Sequence, residues 1–125
     1  MTVLVDSWAW IEYYRGGAYG RKVREIIEGG EEAYISTVNL AEVYRWFLRH
    51  YSEKEAEQER ATMKERCITV AVDEEIAVEA AKIRHKEGFS LGDSMILATA
   101  RKVKAKVVTG DKAFKGLKDA IYLGE

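Results

Sequence analysis

The chain has 125 residues, 47% of them hydrophobic and 33% charged, which suits one domain with a core beneath a heavily charged surface. The net charge of −1 excludes the global basic field that marks many nucleic-acid binders. No stretch approaches the ~18 consecutive apolar residues of a membrane span. We therefore expect no membrane partner. The single cysteine, Cys67, excludes an intramolecular disulfide, and we expect a cytoplasmic protein.

The first part of the chain predicts two strands and two helices. Residues 2–6 form a short apolar run, typical of a buried strand, that ends at Asp6. Asp6-Ser7 is suited to begin the helix that follows, and Gly16-Gly17 ends it. Apolar residues at helical spacing predict a second helix over 18–28, and residues 33–36 predict a second strand.

The rest of the chain continues the alternation of helices and strands. The further predicted helices are 37–49, capped by Ser36 or Thr37, a charged and exposed helix over 52–66, one that follows Asp73 and ends at Gly88, and one over 93–103 after a loop at 89–92. The further predicted strands are 68–72, 106–109 and 120–123. This alternation favours an α/β sandwich around a parallel sheet.

Four carboxylates stand at the points where apolar runs stop: Asp6, Glu42, Asp93 and Asp111. A carboxylate on an apolar background is costly unless something pairs with it. Asp6 and Asp111 follow predicted strands, and the carboxyl ends of parallel strands meet at one edge of the sheet. Asp93 begins a predicted helix, and Glu42 lies in the second turn of another. The pattern therefore predicts one shared acidic site.

Such a site favours a hard cation. The only candidate zinc ligands, Cys67, His50 and His85, are widely spaced, whereas carboxylate oxygens suit Mg²⁺ or Mn²⁺. An ion of this kind can activate a water and orient it toward a phosphate, which is the logic of metal-dependent phosphodiester cleavage.

The four acids lie in four short segments whose order and spacing resemble those of a known protein family. These are Asp6-Ser7 after the first strand, Ile35-Ser36-Thr37 leading to Leu40-Ala41-Glu42-Val43, Leu91-Gly92-Asp93 before a helix, and Val108-Thr109-Gly110-Asp111 after a strand. In order and spacing they resemble the PIN-domain ribonucleases, and they are most similar to the VapC-type toxins of toxin–antitoxin pairs. The resemblance covers essentially the whole chain, residues 1–125, as a single PIN-like nuclease domain.

The resemblance implies a fold, an activity and partners. The fold is a three-layer α/β/α sandwich with a mainly parallel central sheet. The activity is Mg²⁺- or Mn²⁺-dependent endoribonucleolysis, a hydrolysis of RNA phosphodiester bonds by a metal-activated water. The implied partners are an RNA substrate, a small cognate VapB-like antitoxin and a second copy of the chain in a homodimer.

The resemblance also implies roles for individual residues. Asp6, Glu42, Asp93 and Asp111 become the catalytic and metal-binding acids. Ser7 and Thr109, and more weakly Ser36, match polar residues that orient these acids. Many relatives carry a further Asp where this chain has Ala113, so whether one or two ions bind stays open.

Two lysines near the last acid, Lys112 and Lys115, are candidates for contacting RNA phosphates. They belong to a basic segment over 101–118, most of which is explained equally well as a solvated surface.

Other interpretations stay open. Each acid on its own is consistent with a helix cap, a turn residue or the polar side of a helix. The main alternative function is a non-catalytic PIN-like module that binds RNA or a protein. A receiver-type phosphoacceptor domain ranks low because Ser7 and Trp8, rather than acids, follow Asp6. Trp8 also excludes the Asp-x-Asp motif of haloacid-dehalogenase-like phosphatases.

Overall fold

The structure, a computed structural model that describes all 125 residues, contains five strands and six helices, with two helices after each of the first three strands. The strands are β1 (Thr2–Val5), β2 (Glu32–Ser36), β3 (Ile68–Val70), β4 (Lys106–Thr109) and β5 (Ala120–Tyr122). The helices are α1 (Ser7–Arg15), α2 (Ala18–Glu28), α3 (Thr37–His50), α4 (Glu53–Arg66), α5 (Glu74–Glu87) and α6 (Leu91–Lys102), and a short 3₁₀ turn spans Lys112–Phe114.

All five strands pair in parallel, in the order β3-β2-β1-β4-β5. Leu4 in β1 lies opposite Tyr34 in β2 on one side and Val107 in β4 on the other. The strand order therefore reverses between β1 and β4. Ligand sites in open parallel sheets form at the carboxyl ends of the strands at such a reversal.

Helices cover both faces of the sheet. Successive side chains of a strand point to opposite faces, so Val3 and Val5 join one buried cluster and Leu4 joins the other. The first cluster includes Trp10, Phe47 and residues of α1 to α4, and the second is built with α5 and α6. The predicted three-layer sandwich is therefore confirmed. No helix of the structure has both the length and the apolar character that a membrane crossing needs.

Two local predictions differ from the structure. α6 begins at Leu91, so Leu91 and Gly92 lie in its first turn and not in a loop. The reason is the side chain of Ser90, which accepts the backbone N–H of Asp93 at 3.1 Å and so caps the helix. The predicted exposed helix over 52–66 is a helix, but Ala56, Glu59 and Met63 form a buried stripe along it.

Candidate active site

The four acids come from four elements that meet at the carboxyl edge of the sheet. Asp6 follows β1 and Asp111 follows β4, the two strands between which the strand order reverses. Glu42 lies in the second turn of α3 in one helical layer, and Asp93 lies in the first turn of α6 in the other. Both layers therefore contribute to this edge.

Asp6 is the buried member of the group, with only 4% of its surface exposed. Thr109 Oγ1 donates a hydrogen bond to Asp6 Oδ2 at 2.6 Å, and Asn39 Nδ2 donates to Oδ1 at 3.2 Å. Burial raises the pKa of Asp6 from 3.8 to about 7; hydrogen bonds from Thr109 and the Ser7 backbone oppose this rise, and the charges of Glu42 and Asp93 add to it. Asp6 therefore lies close enough to Glu42 and Asp93 to interact with their charges.

Glu42 faces the start of α1 and the start of α6. Ser7 Oγ donates to Glu42 Oε1 at 2.6 Å. A Cβ placed on Gly92 would lie 3.9 Å from Glu42 Oε2, so the first turn of α6 approaches this carboxylate closely. Glu42 is thus hydrogen-bonded to the residue that follows Asp6 and lies beside the first turn of α6 in the opposite layer.

Asp93 and Asp111 form the other half of the acidic group. Burial raises the pKa of Asp93 above its usual range, the charges of Asp111 and Glu42 raise it further, and the hydrogen bond with Ser90 opposes them. The backbone N–H of Asp111 donates to Thr109 Oγ1 at 3.0 Å, and Asp111 Oδ1 accepts the N–H of Ala113 at 3.0 Å. Thr109 therefore links Asp111 to Asp6.

The carboxylate oxygens of the four acids are the type of ligand that a hard cation prefers. All four groups are carboxylates. Burial is the main cause of the raised pKa of Asp6 and Asp93, and the repulsion between the acids adds to it; a bound cation would relieve this repulsion. No three His, Cys, Asp or Glu side chains, however, are grouped closely enough to hold a metal ion directly. Magnesium usually keeps several waters and takes only one or two carboxylates directly, so the arrangement is compatible with it.

The polar residues predicted to support the site differ in what they touch. Ser7 and Thr109 contact acids directly. Ser36 instead caps α3, where its side chain accepts the N–H of Val38 at 3.0 Å. Asn39, which the sequence did not single out, is fully buried and contacts both Asp6 and Ser7. Its signal in the sequence is the pattern Ser36-x-x-Asn39, which resembles a capping box.

The two candidate phosphate-binding lysines are placed differently. Lys115 Nζ donates to the backbone oxygen of Glu125 at 3.1 Å and lies 5.7 Å from the centroid of the Tyr122 ring. Lys112 is exposed and directly follows Asp111. Lys112 is therefore the better placed of the two to meet a ligand at the acids.

Several solved structures share this fold at low sequence identity. A toxin–antitoxin complex from Klebsiella pneumoniae matches with a TM-score of 0.78 at 21% identity, covering 96% of this chain and 96% of that one. VapBC bound to DNA from Salmonella typhimurium matches with a TM-score of 0.76 at 16% identity, covering 99% and 98%. VapC20 from Mycobacterium tuberculosis, a sarcin-ricin loop cleaving toxin, matches with a TM-score of 0.75 at 15% identity, covering 95% and 98%.

None of the curated proteins matches the chain. The profile of the PIN domain, in contrast, matches residues 3–120. This range includes all four acids, strands β2 to β4, all of β1 except Thr2, and the first residue of β5. The parallel sheet with its reversed strand order, the acids at its carboxyl edge and this match agree: the chain belongs to the PIN domain family.

Proposed function

We propose that the protein is a metal-dependent endoribonuclease and the toxin of a VapBC-type toxin–antitoxin pair. The observation that carries the proposal is Asp6 at the reversal of strand order, whose pKa is raised by burial and further by the charges of Glu42 and Asp93. A fold does not need a group of mutually repelling acids for stability. Active sites often contain groups whose pKa is perturbed by burial and by a neighbouring charge.

Asp6, Glu42, Asp93 and Asp111 are the residues that would hold Mg²⁺ or Mn²⁺. When bound, such an ion supplies Lewis acidity toward a phosphate and lowers the pKa of a water. The chain's own residues prepare the acids for this role. Hydrogen bonds from Thr109 and Asn39 hold both oxygens of Asp6, and the hydroxyl of Ser7 holds one oxygen of Glu42.

The lysine beside the acids suits an RNA phosphate. Lys112 is exposed and adjacent to Asp111, so its ammonium can bind the backbone of the substrate next to the acids. Lys115 can join it only by giving up its hydrogen bond to Glu125. The choice of RNA over DNA is supported by the similarity to a toxin that cleaves the sarcin-ricin loop.

The partners follow from the same similarities. Two of the matching structures are a toxin–antitoxin complex and a VapBC complex, which supports a small VapB-like antitoxin as the partner of this chain. We further propose that the chain acts as a homodimer, with residues 1–125 as one nuclease domain.

Cleavage assays with substituted acids test the proposal. Purified protein is incubated with structured RNAs in the presence of Mg²⁺, Mn²⁺ or EDTA, beside Asp6→Asn, Asp93→Asn and Glu42→Gln. We expect cleavage only with metal, and a loss of at least about 100-fold in each variant, equivalent to about 2.7 kcal/mol of transition-state stabilisation. The matched control is Glu79→Gln, an exposed acid of α5, which should retain full activity.

Two outcomes would overturn the nuclease assignment. One is cleavage that persists in EDTA, and the other is full activity in both aspartate variants. Intact RNA under every condition, together with RNA binding by the protein, would instead favour the non-catalytic module.

A further inference from the structure

Asn39 is a buried side chain with three polar contacts at the acidic site. It is fully buried, it is the only asparagine in the chain, and it lies one turn before Glu42 in α3. Its Oδ1 accepts the backbone N–H of Ser36 at 2.9 Å. Its Nδ2 contacts Asp6 Oδ1 at 3.2 Å and Ser7 Oγ at 3.1 Å.

The contact with Ser36 fixes which way the amide of Asn39 points. A backbone N–H can only donate, so the amide oxygen of Asn39 must face it and the NH₂ group must face Asp6 and Ser7. Both hydrogens of Nδ2 are then used, one toward each partner. The orientation of this side chain is therefore determined by the main chain at the start of α3.

The amide in turn fixes the direction of the next hydrogen bond. A hydroxyl carries one hydrogen. Because Ser7 Oγ accepts a hydrogen from Asn39, its own hydrogen is left for Glu42 Oε1, which lies 2.6 Å away. All of these hydrogen bonds therefore point the same way. The Ser36 N–H donates to Asn39, and Asn39 donates both to Asp6 and to Ser7. Ser7 in turn donates to Glu42.

We infer that Asn39 is a positioning residue of the acidic site: one side chain sets the direction of the hydrogen bonds that reach both Asp6 and Glu42. The competing explanation is that Asn39 only completes the capping box of α3 with Ser36. That role uses the Oδ1 atom alone and leaves the contacts of Nδ2 without consequence. The inference deepens the proposed function and rests on it for the cation that the acids would bind.

Nuclear magnetic resonance of the full ¹⁵N-labelled chain tests the hydrogen bonds without any metal or RNA. The chain has only two side-chain amides, Asn39 and the exposed Gln58, so Gln58 serves as an internal control. We expect the Asn39 NH₂ to exchange with solvent at least about 10-fold more slowly than that of Gln58. Ser7→Ala should shift the Asn39 signals and leave those of Gln58 in place. Equal exchange of the two amides, or Asn39 signals unmoved by Ser7→Ala, would overturn the inference.

Calorimetric Mn²⁺ binding then tests whether the arrangement matters to the acids. We expect Ser7→Ala to weaken binding about 10-fold and Asn39→Ala to weaken it further, because Asn39 also donates to Asp6. The double variant should bind no more weakly than Asn39→Ala alone, because both substitutions break the same path to Glu42. A cap-only role predicts that Asn39→Ala leaves the affinity for Mn²⁺ unchanged, and that result would overturn the inference. Asp73→Ala, which removes the N-cap of α5 and an ion pair with Lys102 but no hydrogen bond of the four acids, should lower stability and leave the affinity unchanged.

The two measurements separate the two ideas. Failure of the unsubstituted protein to bind Mn²⁺ would count against the proposed function. The amide exchange experiment would still decide whether Asn39 directs the hydrogen bonds of the acids, and it applies even if Asn39→Ala does not fold.

Discussion

Asp6 is held out of water by the same strand that places it at the site. Val3, Leu4 and Val5 before it are fully buried, so the carboxylate enters an environment that penalises its charge. Thr109 and Asn39 supply donors, yet its pKa still rises to about 7. Ionising Asp6 in the site without a bound cation therefore costs free energy, which is why its pKa is raised.

This cost predicts a pH-dependent stability for the protein in EDTA. Folded Asp6 keeps its proton up to about pH 7, whereas the unfolded chain releases it near 3.8. The folded state binds more protons between these values, so the free energy of unfolding should fall as the pH rises from about 4 to about 7. One pKa unit corresponds to about 1.4 kcal/mol, so the fall attributable to Asp6 is at most roughly 4 kcal/mol.

Urea unfolding across this pH range measures the effect, with Asp6→Asn as the comparison. The variant should lose most of the pH dependence, because its side chain does not titrate. The residual slope is assigned to Asp93 and Glu59, whose pKa values are also raised by burial. An Asp6→Asn variant with the slope of the unsubstituted protein would show that Asp6 ionises normally.

At the residue scale the sequence predicted a group of four acids but not all of their hydrogen-bond partners. Asp6 and Asp111 could be predicted because each ends an apolar run, and a carboxylate in that place is unusual. Asn39 could not, because its contact with Asp6 depends on β1 and β2 pairing with Leu4 opposite Tyr34. The sequence alone does not give this register.

At the scale of elements, the end of β4 is fitted against the start of α1. A Cβ on Gly110 would lie 2.4 Å from two atoms of the Trp8 ring. Gly110 lies directly before Asp111, and Trp8 lies two residues after Asp6. This close contact therefore packs the segment that carries Asp111 against the segment that carries Asp6. A residue with a side chain at this position cannot be accommodated without moving the indole.

Gly110→Ala should therefore lower the free energy of unfolding by about 1–3 kcal/mol, the usual range for overpacking. It should also reduce cleavage, because the displaced segments carry Asp6 and Asp111. Gly17→Ala is the control, since a Cβ there meets nothing within 4 Å. Chemical unfolding followed by tryptophan fluorescence measures both variants, and equal stability for the two would contradict the packing argument.

The helix α4 carries a polar group that the core does not satisfy. Glu59 is 8% exposed, its Oε1 has no hydrogen-bond partner, and burial raises its pKa. Its neighbours in the buried stripe, Ala56 and Met63, are apolar. Glu59 therefore costs stability where an apolar residue of similar length would not.

Glu59→Met should stabilise the protein by about 1–2 kcal/mol at neutral pH, because an unsatisfied buried polar group is removed. Glu65→Met changes an exposed residue of the same helix and should alter stability by less than about 0.5 kcal/mol. Thermal and urea unfolding compare the two variants. A loss of stability in Glu59→Met would indicate that the carboxyl has a partner.

Most elements could be predicted because their ends carry local signals. Helices α1 and α5 end at Gly16 and Gly88, as predicted, and both glycines adopt left-handed backbone conformations there. The start of α6 was misplaced because Ser90, not Asp93, is the cap. The buried stripe of α4 was missed because a helix dense in Glu, Lys and Arg shows almost no amphipathic pattern.

At the scale of the molecule, a cation bound at the acids would link the two helical layers. Glu42 belongs to the layer of α1 to α4 and Asp93 to the layer of α5 and α6. A ligand that binds only the folded state stabilises it by mass action. Metal binding should therefore be visible in global unfolding as well as at the site.

Free Mn²⁺ at about 100 times its dissociation constant should raise the free energy of unfolding by about 2.7 kcal/mol. The Asp93→Asn variant should show a much smaller rise at the same concentration, and Glu79→Gln should match the unsubstituted protein. Urea unfolding with and without Mn²⁺ gives these values. An identical rise in Asp93→Asn would place the bound ion elsewhere in the molecule.

The order of the strands also sets when the site can exist during synthesis. β1 leaves the ribosome well before its neighbour β4 and the acid Asp111 are made. Until β4 docks, Asp6 lacks Thr109, and its strand has one open edge. A nascent or truncated chain that ends before β4 thus lacks both the last acid and the hydroxyl that holds the first. The acidic site can therefore be completed only after β4 has been made and has docked beside β1.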